Sequence, residues 1–192
     1  MRAPARLVVA SQNADKVEEV EVVLARLSLR SEIVRGLSWP PVPETEDTLE
    51  GNALLKARAV VAHTGCAALA DDTGLEVDSL GGGPGVRTAR FAGPDATYED
   101  NVALLLEVLG ESEDRTARFR TAVAVVTERG EELVAAGSLE GRITKAPRGG
   151  GGFGYDPVFE VGGVTLAEMD DARKNTISHR ARALEALASL LT

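Results

Sequence analysis

Short apolar runs alternate along this chain with longer stretches in which apolar residues recur every three or four positions. RLVVA, residues 6–10, is apolar after its first residue and predicts a buried strand. Residues 16–27 carry Val17, Val20, Val23, Leu24 and Leu27, the spacing of a helix with one buried face, and SQNAD before it supplies N-cap residues. A Pro-rich loop, WPPVPETED, precedes a second helix over residues 49–63, with Gly65 placed to stop it. Residues 66–70, CAALA, predict a strand that ends on two adjacent carboxylates, Asp71 and Asp72. Leu75 and Val77 then alternate with Glu76 and Asp78 as in a half-buried strand, and GGGPG at 81–85 reads as a loop.

The second half continues the mixture. DATYEDNVALLLEVLG predicts a helix with Thr97 and Asp100 near its start and Gly110 after its end. Two β-rich runs between residues 117 and 144 flank ERGEE, the pattern of a hairpin. APRGGGGFGYDPVF is a glycine loop entering a short strand, and SHRARALEALASLL is a closing amphipathic helix with Leu184, Leu187 and Leu191 on one side. Strands and helices are interspersed without internal repeats, which points to an α/β fold in one compact unit.

Composition narrows the class. With 192 residues, 44% hydrophobic and 27% charged, the chain suits a globular protein with a sizeable core, and no apolar run is long enough to span a bilayer. The N-terminal run lacks a signal-peptide pattern, so a cytoplasmic location is expected. One cysteine and two histidines exclude a disulfide framework and the usual zinc spacings. A net charge of −9 repels a polyanionic duplex and argues against nucleic acid.

Five segments carry candidate chemistry. The strand-to-helix turn Ser11, Gln12, Asn13, Ala14, Asp15 and Lys16 offers a helix N-terminus and a cation, which suit a phosphate, although no GxxxxGK[ST] loop is present. Adjacent residues on a strand point to opposite faces, so Asp71 and Asp72 cannot both face one ligand, and one of them is expected to serve structure. The other, at the end of a strand, suits a hard divalent cation or an attacking water. Glu44, in the acidic loop 44–47, is a candidate second metal ligand. Arg148 to Pro157, RGGGGFGYDP, lets backbone approach a ligand, with Phe153 and Tyr155 available to stack on a ring and Asp156 to accept from its edge. Lys174, His179 and Arg180 cluster near a helix start at Ser178. Taken singly, each segment has a plainer structural explanation: a helix cap, a turn, a solvated loop.

Taken in order, SQNADK, PETEDTLEGNALLKA, LADDTGLEVDSLGGGPGVRTARFAG, GGFGYDP and KNTISHR closely resemble the inosine triphosphate pyrophosphatase family, from residue 11 to residue 180. The resemblance implies a single ITPase-like domain over residues 1–192: a two-lobed α/β fold with a long curved mixed sheet flanked by helices, and a central substrate cleft. It implies Mg²⁺-dependent attack of water at the α-phosphate of noncanonical purine nucleoside triphosphates (ITP, dITP, XTP), giving monophosphate and pyrophosphate, in an enzyme that is usually a homodimer. Carried onto this chain, Ser11 to Lys16 hold the triphosphate, Glu44 and Asp72 bind Mg²⁺, and Asp72 is the catalytic proton acceptor. Thr73, Phe153, Gly154, Tyr155, Asp156, Lys174, His179 and Arg180 contact the substrate. Donors on His179 and Arg180 would favour a 6-oxo purine and leave an adenine amine unpaired, at about 1–3 kcal/mol for each buried donor.

Two other functions remain compatible with these residues. One is a pyrophosphatase of general or modified-pyrimidine triphosphates with another base pocket. The other is a non-catalytic nucleotide-binding protein, against which Asp72 and Glu44 count.

Overall fold

A computed structural model describes residues 1–27 and 31–191. Its elements are β1 (Arg6–Val9), α1 (Ala14–Arg26), β2 (Glu32–Ile33), α2 (Leu49–Thr64), β3 (Ala68–Val77), β4 (Gly83–Gly85), α3 (Tyr98–Leu109), β5 (Thr116–Val126), β6 (Glu132–Ile143), β7 (Phe159–Val161), β8 (Val164–Thr165), α4 (Asp171–Ile177) and α5 (His179–Leu190). The hydrogen-bonded strand order is β2-β1-β3-β5-β6-β7-β8, with β4 on β3. β1 runs parallel to β2 and β3, while β3–β4, β6–β7 and β7–β8 are antiparallel. The α/β expectation of a mixed sheet with flanking helices therefore holds.

The chain divides into two compact units: Met1–Asp72 with Thr121–Gly137 and the segment from His179 onward, and Thr73–Arg120 with Ser138–Ser178. In the first unit, strand alternation sorts side chains onto two faces. Leu7 and Val9 of β1, Leu69 of β3, and Val123 and Val125 of β5 join Val20, Val23 and Leu24 of α1 and Ala183, Leu184 and Leu187 of α5. Val8, Ala10, Ala68, Ala70 and Val126 point the other way and pack on Ala57 and Val60 of α2. Near-continuous apolar runs are the signature of strands covered on both faces, and that is how RLVVA and CAALA read.

The second unit is built around Leu75 and Val77 of β3, Leu105 and Leu109 of α3, Phe119 of β5, Ile143 of β6 and Phe159 of β7. The Phe119 and Phe159 rings lie 4.5 Å apart between centroids.

Two sequence expectations need correction. β3 does not end at Asp71 and Asp72; it runs on through Thr73 and Gly74 to Val77. Cations from neighbouring helices meet both carboxylates, so charge does not break the strand. The 81–85 segment is not wholly a loop, since Gly83, Pro84 and Gly85 pair with Val77, Glu76 and Leu75. A Cβ on Gly74 would lie 2.9 Å from the Gly85 carbonyl oxygen, so this approach needs glycine.

Helix ends follow the sequence closely. Thr48 caps α2 by accepting from the Gly51 N–H, and Gly65 closes it in the left-handed conformation. Thr97 and Asp100 form a reciprocal capping box on α3. The sequence reading did not foresee α4, which Asp170 caps and which carries Lys174.

Candidate active site

β3 places Asp71 and Asp72 on opposite faces, and each meets a different set of partners. Asp71 shares its face with Leu69, toward α1 and α5. Lys16 Nζ lies 3.3 Å from Asp71 Oδ2, and Arg180 donates to the same oxygen through Nε and Nη2 at 3.3 Å. Arg180 Nη1 also pairs with Glu19 of α1. Arg180 is almost wholly buried, and its long stem packs where a surface arginine would lie in water. Burial opposes the Asp71 charge, but Lys16, Arg180 and Lys56 outweigh it and hold its pKa below the ordinary carboxylate range.

Asp72 faces α2 with Ala68 and Ala70. Its Oδ1 accepts from Lys56 Nζ at 3.0 Å and its Oδ2 from Asn52 Nδ2 at 3.2 Å. Lys56 also donates to Glu44 Oε1 at 3.0 Å, so one ammonium bridges the two carboxylates. Burial lifts the Asp72 pKa and the Glu44 charge adds to that lift, while Lys56 offsets part of it. Burial works against the Lys56 charge, yet Asp72 and Glu44 prevail and raise its pKa.

The turn before α1 is ordered by its own side chains. Asn13 Oδ1 accepts from the Lys16 N–H, capping the helix, and Ser11 Oγ accepts from the Asn13 N–H. Gln12 Nε2 donates to the Trp39 carbonyl. The backbone of Ala14 and Asp15 opens α1, while their side chains lie outside the described residues. His179, at the first position of α5, is buried with Nδ1 2.6 Å from Thr121 Oγ1 of β5.

The second unit assembles the other candidates. Lys174 Nζ lies 2.8 Å from Asp156 Oδ2 and 4.6 Å from the centroid of the Phe153 ring, a cation–π arrangement. Asp156 Oδ2 also accepts from the Phe153 N–H. Tyr98 leans on Phe153 at 6.0 Å between centroids. Tyr155 is in the core, its hydroxyl donating to the Thr88 carbonyl, and burial pushes its phenol pKa up. Gly154 adopts a positive φ of 63°, and Thr73 is half-buried within β3.

Sequence reasoning missed Asn52 and Lys56. Their signal was spacing: four residues apart, they share a face of α2, but nothing local says that this face meets Asp72.

Glu44 and Asp72 fit a metal by their chemistry. Their oxygens converge on one cationic point, now the Lys56 ammonium, and carboxylate oxygen is the donor that Mg²⁺ prefers. No group of three or more His, Cys, Asp or Glu suited to a metal occurs among the described residues. Two carboxylates suffice where water and phosphate oxygens complete the shell, as is usual for Mg²⁺.

Known proteins resemble this chain over its length. A dITP/XTP pyrophosphatase of Symbiobacterium thermophilum is 52% identical over 184 residues, covering 93% of this chain and 91% of its own. A dITP/XTP pyrophosphatase of an Exiguobacterium species is 46% identical over 187 residues, covering 95% and 94%. Among solved structures, a HAM1 protein from Coxiella burnetii superposes with a TM-score of 0.87 at 39% identity, covering 96% of this chain and 97% of its own. A nucleoside-triphosphatase / dITP/XTP pyrophosphatase from Mycobacterium abscessus gives 0.75 at 43% identity, covering 97% of each. The sequence profile of the Ham1 family matches residues 7–190, and the chain belongs to that family.

Proposed function

We propose that the protein hydrolyses noncanonical purine nucleoside triphosphates, ITP, dITP and XTP, to the monophosphate and pyrophosphate. The observation that carries this reading is Asp72, a nearly buried carboxylate whose pKa burial raises. It is held by two donors on α2 and lies in one cluster with Glu44. A carboxylate whose pKa is raised above its ordinary value is a stronger proton acceptor than a solvated one. The names of the relatives give dITP and XTP, two of these substrates.

In the reaction, a water oxygen attacks the α-phosphorus, its proton passes to Asp72, and the α–β anhydride bond breaks with the electron pair leaving on pyrophosphate. Lys16, close to the α1 N-terminus, is proposed to hold the triphosphate with Ser11 to Asp15. Glu44 and Asp72 would hold Mg²⁺, which when bound offsets negative charge gathering on the leaving group. Phe153, Gly154, Tyr155, Asp156 and Lys174 are proposed to serve the base, with Thr73, His179 and Arg180. For Arg180 the proposal also includes fixing Asp71, the residue it pairs with, so that Lys16 faces a carboxylate of settled charge.

The proposal extends to a homodimer working in the cytoplasm with neither nucleic acid nor membrane as partner. The net charge of −9 favours that reading against nucleic acid, and no helix among the described residues is long and apolar enough to cross a membrane.

Product analysis with ITP and Mg²⁺, and with GTP and ATP alongside, tests the proposal. Monophosphate and pyrophosphate from ITP, with little from the other two, is the expected result. Asp72→Asn should lower that turnover by about 10²-fold or more while the protein stays folded. Diphosphate and orthophosphate, equal rates on all three nucleotides, or an active Asp72→Asn protein would overturn it.

A further inference from the structure

Asn52 has none of its surface exposed, and its amide makes three hydrogen bonds at the edge of the proposed catalytic carboxylate. Oδ1 accepts from the Glu46 N–H at 3.0 Å, while Nδ2 donates to the Glu46 carbonyl at 3.3 Å and to Asp72 Oδ2 at 3.2 Å. The two bonds to Glu46 form a two-point clamp, so the amide cannot turn without breaking both. Glu46 lies two residues from Glu44. The clamp therefore ties the acidic loop to the first turns of α2, and its remaining N–H reaches Asp72.

Lys56, one turn further along the same helix face, takes the other Asp72 oxygen. The two donors differ in kind. An ammonium on a flexible four-carbon stem attracts the carboxylate with little directional preference, whereas a planar amide locked to backbone fixes a direction. The local packing leaves no slack: a Cβ on Gly51 would stand 2.8 Å from Glu46 Cβ and 2.9 Å from Thr48 Oγ1.

We propose that Asn52 is the positioning residue of the reaction: it sets the rotation of the Asp72 carboxylate and fixes the Glu44-bearing loop to it. The inference rests on Asp72 being the proton acceptor. Its physical basis is that an attacking water is activated only by a lone pair held in line within hydrogen-bond reach, and a carboxylate free to spin offers that geometry for a fraction of the time.

The test uses Asn52→Asp, which keeps the shape and removes both donors, and Asn52→Ser, which removes them without adding charge. Thr48→Ala is the comparison, because it deletes the α2 cap that serves the Gly51 N–H without touching Asp72. For each, kcat and KM for ITP with Mg²⁺ are measured at a temperature where circular dichroism shows the protein folded, together with Tm. Partners of this kind are typically worth about 10–100-fold. The expected result is a loss of that size in kcat for either folded Asn52 variant, with KM within about threefold and kcat near wild type in Thr48→Ala. A folded Asn52 variant with kcat within about threefold of wild type overturns the inference. So does an equal loss of kcat in Thr48→Ala at a similar fall in Tm, which would make the effect one of stability. Failure of the wild-type protein to release pyrophosphate from ITP overturns the functional reading itself, and the positioning role in that reaction with it.

Discussion

Asp71 sits 3.3 Å from Lys16 and from two nitrogens of Arg180, in a pocket that water hardly reaches. That pairing governs how the protein meets acid. The folded-state pKa of Asp71 is depressed, so its contribution to stability is complete above the unfolded value of ~3.9 and drains away as pH falls through the lower folded value. Asp71→Asn should cost about 3–5 kcal/mol near neutrality, because Arg180 and Lys16 each lose a buried counter-charge. In urea unfolding followed across pH, the gap between wild type and variant should be flat down to about pH 5 and narrow below about pH 4. A gap that widens toward acid would refute the pairing as the source. The opposed directions of Asp71 and Asp72 were legible in the sequence, since strand geometry alone separates neighbouring side chains. Their partners were not. Lys56 and Asn52 sit in NALLKARA, where a lysine and an asparagine read as ordinary helix surface, and they meet a residue 16 and 20 positions away. Arg180 reads in the sequence as a donor to the base or as an exposed helix charge, and only the packing of α5 reveals it as buried against Asp71 and Glu19.

Elements were easier to read where their ends are written in local chemistry. Gly65, Thr97 with Asp100, and Gly110 mark helix boundaries because a cap satisfies backbone groups within its own turn. The course of β3 was harder, because what lets a strand continue past two charges lies on α1, α2 and α5. The glycine tract shows the same limit. Four consecutive glycines read as flexible, yet Gly149 packs on the backbone of Ala167 and Gly152 on the carboxylate of Asp156. At Gly152 a side chain would collide with Asp156 and would need a positive φ of 68° as well. Gly152→Ala should therefore lower stability by about 1–3 kcal/mol, read as a lower denaturant midpoint at unchanged slope. It should also disturb the Asp156 contacts to Lys174 and to the Phe153 N–H. A variant as stable as wild type would mean that the tract is looser than its packing implies.

At the scale of the molecule, neither compact unit is a continuous stretch of chain. The chain passes from one to the other after Asp72, Arg120, Gly137 and Ser178, and the first three passages fall inside β3, β5 and β6. A strand that belongs to both units cannot melt in one of them without fraying into the other. Trp39, the only tryptophan, packs within the first unit, whereas ellipticity reports on the whole chain. Fluorescence and far-ultraviolet circular dichroism should give coincident unfolding curves, and two separated midpoints would show that the units melt independently. The same threading bears on how such a protein can change over generations. The second unit, which carries Phe153, Asp156 and Lys174, is written in the gene as two separated blocks, three of whose four borders cut through strands. Recombination cannot lift it out as a cassette and graft it onto a relative without severing β3, β5 and β6. If these residues serve the base as proposed, a shift in nucleotide preference has to accumulate in place, one substitution at a time, against a scaffold that is inherited whole.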